Sequence, residues 1–267
     1  MRPFQVFALL LLSWSGRSGA ASPLPCVALT TAPYDASARF RAVHVDTLNP
    51  KLQDVFVDAR RGWLKVLSLH HTTDGRGHFL QRAGNTFLTL RSFNTFAEYD
   101  ALRAFRAAVG ERLGPEGERA GQEYDRGDIA LTSPHNSEVW SRLDNFDYPG
   151  QEPQLNEYTA GYLQMVTEQV SSEDYQAAWK DIRAALAAVH YPLARITFFS
   201  TLGSGKHITL WLAASRQAFV SAGSPEQAIA KSLGPAKAAA LIARLTAACS
   251  DVQVAEVLAR PDLSSPL

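Results

Sequence analysis

The stretch Arg195-Ile196-Thr197-Phe198-Phe199-Ser200, the turn Gly203-Ser204-Gly205 and the run His207-Ile208-Thr209-Leu210-Trp211-Leu212 decide the fold. Two runs rich in β-branched and aromatic residues around a glycine turn read as a hairpin. Both arms carry apolar groups at successive positions, more than a strand with one watered face would keep, so both faces of this hairpin are expected to be covered. Upstream, Tyr162-Leu163-Gln164-Met165-Val166 reads as a strand, and Ser171-Ser172-Glu173-Asp174 caps a helix. That helix carries the stripe Tyr175, Ala178, Trp179, Ile182, Ala185, Leu186 and Val189 and ends at Pro192. Downstream, Ser224-Pro225-Glu226 opens a helix by the serine-cap, proline-first pattern, a break at Gly234-Pro235 leads into another, and Asp251 to Val257 closes as a strand. The order is βαββαβ.

The same order occurs earlier in the chain. Phe40-Arg41-Ala42-Val43-His44-Val45-Asp46 has strand composition, and Asn49-Pro50 starts a helix whose apolar positions are Leu52, Val55, Phe56, Ala59, Trp63 and Val66. Phe79 to Arg82, the turn Ala83-Gly84-Asn85 and Thr86 to Arg91 form a second hairpin. A helix from Asn94-Thr95 carries Phe96, Tyr99, Leu102, Phe105 and Val109 and falters at Gly114-Pro115. Glu116 to Asn136 is polar and weakly patterned, and Ser137 to Leu143 supplies a last strand. Leu113-Gly114-Pro115 and Leu233-Gly234-Pro235 stand 120 residues apart, and the turn glycines Gly84 and Gly203 stand 119 apart. A near-constant offset marks a duplicated unit.

The reading divides the chain into a signal peptide (1–20), an extension (21–39), a first unit (40–147), a linker (148–159) and a second unit (160–267). A βαββαβ order is the ferredoxin-like split motif, with both helices on one face of a four-stranded sheet and the other face bare. The expected fold class is therefore α+β, two tandem ferredoxin-like βαββαβ units packed sheet to sheet as an intramolecular α+β barrel. In element order, twin hairpins and duplication the chain resembles, from about Phe40 to Leu263, the dimeric α+β barrel superfamily. That superfamily includes antibiotic-biosynthesis-type monooxygenases, NIPSNAP-like proteins and chlorite-dismutase-like haem proteins. The resemblance implies a fold and no reaction.

The remaining composition narrows the function class. The 267 residues carry 26 Lys+Arg against 26 Asp+Glu, so the bulk positive field of a general nucleic-acid binder is absent. Arg2, the apolar run Val6 to Leu12 and the small residues Ser18-Gly19-Ala20-Ala21 read as a secretory signal peptide, which predicts an exported, periplasmic or extracellular protein. No later segment has the apolar length of a membrane span, so none is expected after signal cleavage. In an oxidising compartment the two cysteines, Cys26 and Cys249, are candidates for a disulfide; the other reading is a buried Cys249 and a free Cys26.

If the bare sheets face each other, alternate strand residues line the space between them. The candidates are His44 and Asp46 on the first strand, Arg82 and Arg91 on the first hairpin, Gln164 and Glu168 on the second unit's first strand, and Arg195, Thr197, His207, Thr209 and Trp211 on its hairpin. His44 beside Asp46 is the catalytic candidate, because a carboxylate orients an imidazole for acid–base work; the other reading is an ordinary strand-end pair. Arg91 and Arg195 would steer anionic groups, and Trp140 and Trp211 are the tryptophans suited to a pocket wall.

No metal is expected, since the histidines have neither a His-x-x-x-His pair nor a cysteine pair beside them. No cofactor is predicted; the resemblance leaves haem open, with His190 and His78 as the histidines at hand and no family motif on either. Gly203-Ser204-Gly205-Lys206 lacks the leading glycine of a phosphate loop and reads as a hairpin turn. The expected function is a small apolar or aromatic molecule bound or transformed between the two sheets. The alternatives are a non-catalytic envelope or structural protein with a filled barrel, and a haem-dependent oxidoreductase.

Overall fold

A computed structural model describes residues 35–265 apart from 75–76, 83, 133–135, 153 and 171–172. The signal-peptide segment, Cys26 and the Ser171-Ser172 cap lie outside the described residues. Strands β1 (Phe40–Thr47), β2 (His78–Arg82), β3 (Thr86–Phe93) and β4 (Asn136–Arg142) form the first half, with helices α1 (Gln53–Leu69), α2 (Phe96–Arg112) and α3 (Gly114–Arg126). Strands β5 (Tyr162–Val170), β6 (Ala194–Leu202), β7 (His207–Ala213) and β8 (Cys249–Ala259) form the second half. Its helices are α4 (Glu173–Ala188), α5 (Arg216–Ser221), α6 (Pro225–Leu233) and α7 (Pro235–Ala247).

Each half has the strand order of the ferredoxin-like motif, β4-β1-β3-β2 and β8-β5-β7-β6, and every pairing is antiparallel. The halves meet at their edges, β2 on β8 (Arg82 opposite Val257) and β4 on β6 (Trp140 opposite Ser200), so the eight strands close into one barrel. Closure pairs the edge strands of both sheets and turns the helix-free faces inward.

Local chemistry explains the repeated breaks. Gly114 and Gly234 adopt φ of 63° and 82°, a region that favours glycine, and each is followed by a proline in the first turn of α3 or α7. Ser224 and Gln227 make a reciprocal capping box on α6, and Asn49 caps the short turn that leads into α1. The second-half stripe is buried as its spacing predicts, from Tyr175 to Leu186.

Two expectations shift. Glu116 onward is helix α3 as far as Arg126, with its buried side on Ala120 and Tyr124. On α1 the buried face is rotated: Val55 is exposed, and Val57 and Arg60 are buried in positions outside the predicted stripe. Arg60 tolerates burial because it forms an ion pair with Asp74 and donates to the Leu263 carbonyl (2.9 Å) and Ser265 Oγ (3.0 Å). The linker is also packed in place: Tyr148 exchanges backbone hydrogen bonds with Arg195, and Glu157 is fully buried against Arg41 at 2.6 Å.

Candidate functional site

The space between the sheets is filled. Val43, Leu80, Leu88, Leu90, Trp140, Leu163, Met165, Ile196, Phe198, Ile208, Leu210, Leu212 and Val257 form one buried cluster that draws on all eight strands and on no helix. This overturns the expectation of a ligand space between the two sheets: alternate positions on every strand meet at the barrel axis and pack as a core. Trp140 belongs to that core, with its indole N–H donating to Glu138 at 2.7 Å, and is no pocket wall.

An open space lies on the opposite face of the second half, between its strands and helices. A cavity of about 690 Å³ is lined by Gln164, Val166 and Glu168 of β5, Arg195 of β6, Thr209 and Trp211 of β7, and Cys249, Val252 and Val254 of β8. Tyr175, Trp179 and Ile182 of α4, Ile229 of α6 and Ile242 of α7 face them. At the mouth Val220, Val252 and Val254 are exposed. The volume falls in the range of roughly 300–1,000 Å³ of small-molecule sites.

Most of the wall is apolar, and its polar groups gather around Arg195. This guanidinium is 3% exposed; it donates to the Phe146 carbonyl (2.8 Å), Tyr175 Oη (3.0 Å) and Thr209 Oγ1 (3.0 Å), and stacks over Trp179 at 3.5 Å from the ring centre. The Tyr175 hydroxyl in turn donates to Glu168 Oε1 at 2.5 Å. Burial, with Glu168 adding to it, raises the Tyr175 hydroxyl above its ordinary pKa, so the phenol is neutral at physiological pH. Burial and the neighbouring Glu168 push the Cys249 thiol up to about 12, which leaves it protonated and a weak nucleophile.

Gln164, Glu168, Arg195, Thr209 and Trp211 are thus brought together, although on the helix side of the sheet. Thr197 and His207 lie on the same side without lining the cavity. Thr197 is fully buried, its amide donating to Asp147 Oδ1 at 2.9 Å. His207 packs edge-on against Phe146, Tyr175 and Phe199, and burial lowers its pKa. Arg82 is half-buried at the end of β2, and Arg91 is half-buried on β3 opposite Ala42, both in the first half.

His44 and Asp46 also belong to the first half and do not reach the cavity. They do meet: His44 Nε2 is 3.3 Å from the buried Asp46 Oδ1, and His44 Nδ1 is 2.9 Å from Oγ of Ser137, its cross-strand neighbour on β4. Sequence reasoning does not single out Ser137, because pairing β1 to β4 is a matter of register. Tyr175 and Trp179 read as core from their helical spacing, which gives no signal that part of that core is open.

The haem expectation fails on the donor set. His190 is exposed at the C-terminal end of α4, and His78 is buried beside Tyr158 with Nδ1 3.2 Å from Ser264 Oγ; neither lines the cavity. The cavity's own candidates for iron, Tyr175 and Cys249, are a neutral phenol already bonded to Glu168 and a protonated thiol. The described residues that line this cavity do not fit an axially ligated haem.

Solved structures share the architecture. A candidate monooxygenase from Fusobacterium nucleatum subsp. nucleatum matches at a TM-score of 0.51 and 7% identity, over 84% of this chain and 93% of its own. An anthrone oxidase-like protein matches at 0.47 and 11% identity, over 87% of this chain and 98% of its own. The chlorite dismutase from Candidatus Nitrospira defluvii matches at 0.39 and 10% identity, over 84% of this chain and 91% of its own. The fold is that of the dimeric α+β barrels. Here it is built in tandem within one chain, and at these identities the likeness is one of fold alone. No protein-family profile and no curated protein matches the sequence.

Proposed function

We propose that the protein binds a small apolar or aromatic molecule in the helix–sheet cavity of its second half. The observation that carries this reading is the asymmetry of that half: a space of about 690 Å³ with apolar walls converges on one cluster of polar groups around Arg195. Trp179, Trp211, Ile182, Ile229 and Ile242 supply the apolar and aromatic surface, and Thr209 and Gln164 the orienting groups. The same reading takes the chain as exported by its N-terminal segment; N-terminal sequencing of the protein secreted by its host tests that, with a start near Ala21 expected. Among the described residues no helix is long and apolar enough to cross a membrane.

Calorimetric titration with naphthalene-1-methanol, a neutral aromatic probe, tests the site. Binding is expected in the native protein and is expected to be lost in Ile242→Trp, which fills the cavity from its half-buried wall. Absence of binding, or binding unaffected by the filled cavity, defeats the reading.

A second reading rests on the first half. His44 lies between Ser137, to which it is hydrogen-bonded, and Asp46, 3.3 Å away, in the order that nucleophile, base and orienting carboxylate require, and His44 and Ser137 reach solvent. Covalent labelling of Ser137 by a fluorophosphonate, lost in His44→Ala, is the result that this reading requires.

A further inference from the structure

The described residues include three buried arginines, Arg41, Arg60 and Arg195. Two are neutralised on the spot. Arg41 Nε lies 2.6 Å from the buried carboxylate of Glu157, and Arg60 pairs with the buried carboxylate of Asp74. This is the ordinary solution for a guanidinium taken out of water, because an uncompensated buried charge is strongly destabilising.

Arg195 is solved differently. Among the described residues its hydrogen-bond partners are all neutral: a backbone carbonyl and the hydroxyls of Tyr175 and Thr209. Glu168 reaches it only through the Tyr175 hydroxyl, which donates to the carboxylate and accepts from the guanidinium. The other carboxylate lining the cavity, Glu226, is exposed on α6. Arg195 is also the one of the three that lines this open cavity.

The other polar groups there lean the same way. Thr209 Oγ1 already accepts from Arg195, so its own hydrogen is left to donate. Gln164 lines the cavity half-buried, with no side-chain hydrogen bond to a described residue. Trp179, 3% exposed, has an indole N–H without a partner among the described residues. Beside the Glu168 carboxylate, Arg195, Thr209, Gln164 and Trp179 thus place four side chains that can donate at this end of the cavity.

From this we infer that the cognate ligand is a planar aromatic acid or a comparable oxyanion, whose anionic oxygen is received by Arg195 while its ring lies among the apolar side chains. The inference rests on the ligand-binding reading above and adds the charge of the ligand to it. A cationic aromatic is disfavoured by the same guanidinium, and a neutral one gives it no direct anionic partner. Charge-assisted hydrogen bonds are about twice as strong as neutral ones and gain further in an apolar setting.

The test titrates the full chain with three naphthalenes of nearly equal shape at neutral pH: 1-naphthoate, naphthalene-1-methanol and 1-naphthylmethylammonium. Naphthoate is expected to bind about tenfold or more tightly than the alcohol, and the ammonium more weakly than either, a tenfold step being about 1.4 kcal/mol. In Arg195→Gln the ratio of naphthoate to alcohol affinity is expected to fall to about one. Should that variant fail to fold, the ranking in the native protein still decides, and Arg195→Lys, which keeps the charge but loses the fork, is expected to retain part of the preference. Equal affinity for acid and alcohol in a protein that binds both, or a preference unchanged in Arg195→Gln, overturns the inference and leaves the binding reading standing. If no naphthalene binds, or if Ile242→Trp changes nothing, both fall together.

Discussion

The two halves share one strand order and one pattern of helix breaks, yet they use the space between helices and sheet in opposite ways. Among the described residues of the first half, Phe56, Phe79, Phe87, Trp63, Leu67 and Tyr124 pack into this layer, and Arg60 lies across the rings of Phe79 and Tyr124 at 4.7 and 5.6 Å. In the second half Trp179, Trp211, Tyr175 and Ile229 line the same layer and leave a cavity open. On the proposed reading, the duplicated scaffold gives stability through one copy and binding through the other. The sign of the difference is written in its arginines: Arg60 is closed by Asp74, whereas Arg195 faces the open space with neutral groups as its hydrogen-bond partners.

The largest expected effect breaks the closed half. Asp74→Ala leaves Arg60 buried without its counter-charge and removes an acceptor from the Trp63 indole N–H, and should cost about 3–5 kcal/mol in denaturant unfolding. A loss below about 1 kcal/mol would mean that this half is no tighter than the other.

The shared barrel interior gives a pH test. Burial lowers the His78 pKa from 6.5 to about 4, only partly offset by Glu157 nearby. Between those values the unfolded chain binds the proton and the folded one does not, so stability rises with pH through this window. The contribution is complete above pH 6.5 and falls by about 3 kcal/mol as the pH drops towards 4, because each pH unit crossed costs about 1.4 kcal/mol. His78→Phe should flatten that part of a stability-versus-pH curve.

Filling the open half should do less to stability. Ile242→Trp places its added volume in existing space, so unfolding free energy should stay within about 1 kcal/mol of the native value while binding disappears; a large destabilisation would show that the space is not available. The smallest effect belongs to His44→Ala. It removes a half-exposed ring, its hydrogen bond to Ser137 and its contact with Asp46, should cost at most about 1 kcal/mol, and should leave cavity binding unchanged, which separates the two candidate sites by calorimetry.

Much of the fold is legible in the chain because it depends on local chemistry. Gly84 and Gly203, 119 residues apart, sit at the two hairpin turns with φ of 93° and 145°, and the Leu-Gly-Pro breaks fall where the paired helices change direction. The site is legible in part. Strand alternation groups Arg195, Gln164, Glu168 and Trp211, which line one cavity, with Thr197 and His207, which do not, since residues two apart share a face. Alternation gives which residues share a face but not which way that face turns, and for apolar strands such as β6 and β7 both faces look like core. Spacing alone pairs His44 with Asp46, whereas Ser137 joins them through the register of β1 on β4, set by contacts far apart in sequence.

What the sequence determined by itself is the duplicated βαββαβ order, its turns and caps, and the absence of a net charge, because each depends on residues within a few positions or on simple counting. Only the tertiary structure decided that the sheets join edge to edge, that their facing surfaces fill the barrel, and that the open space beside Arg195 lies behind the second sheet. The reason is volume: whether a layer closes depends on how side chains from distant strands and helices add up in a common space, and no local pattern encodes that sum.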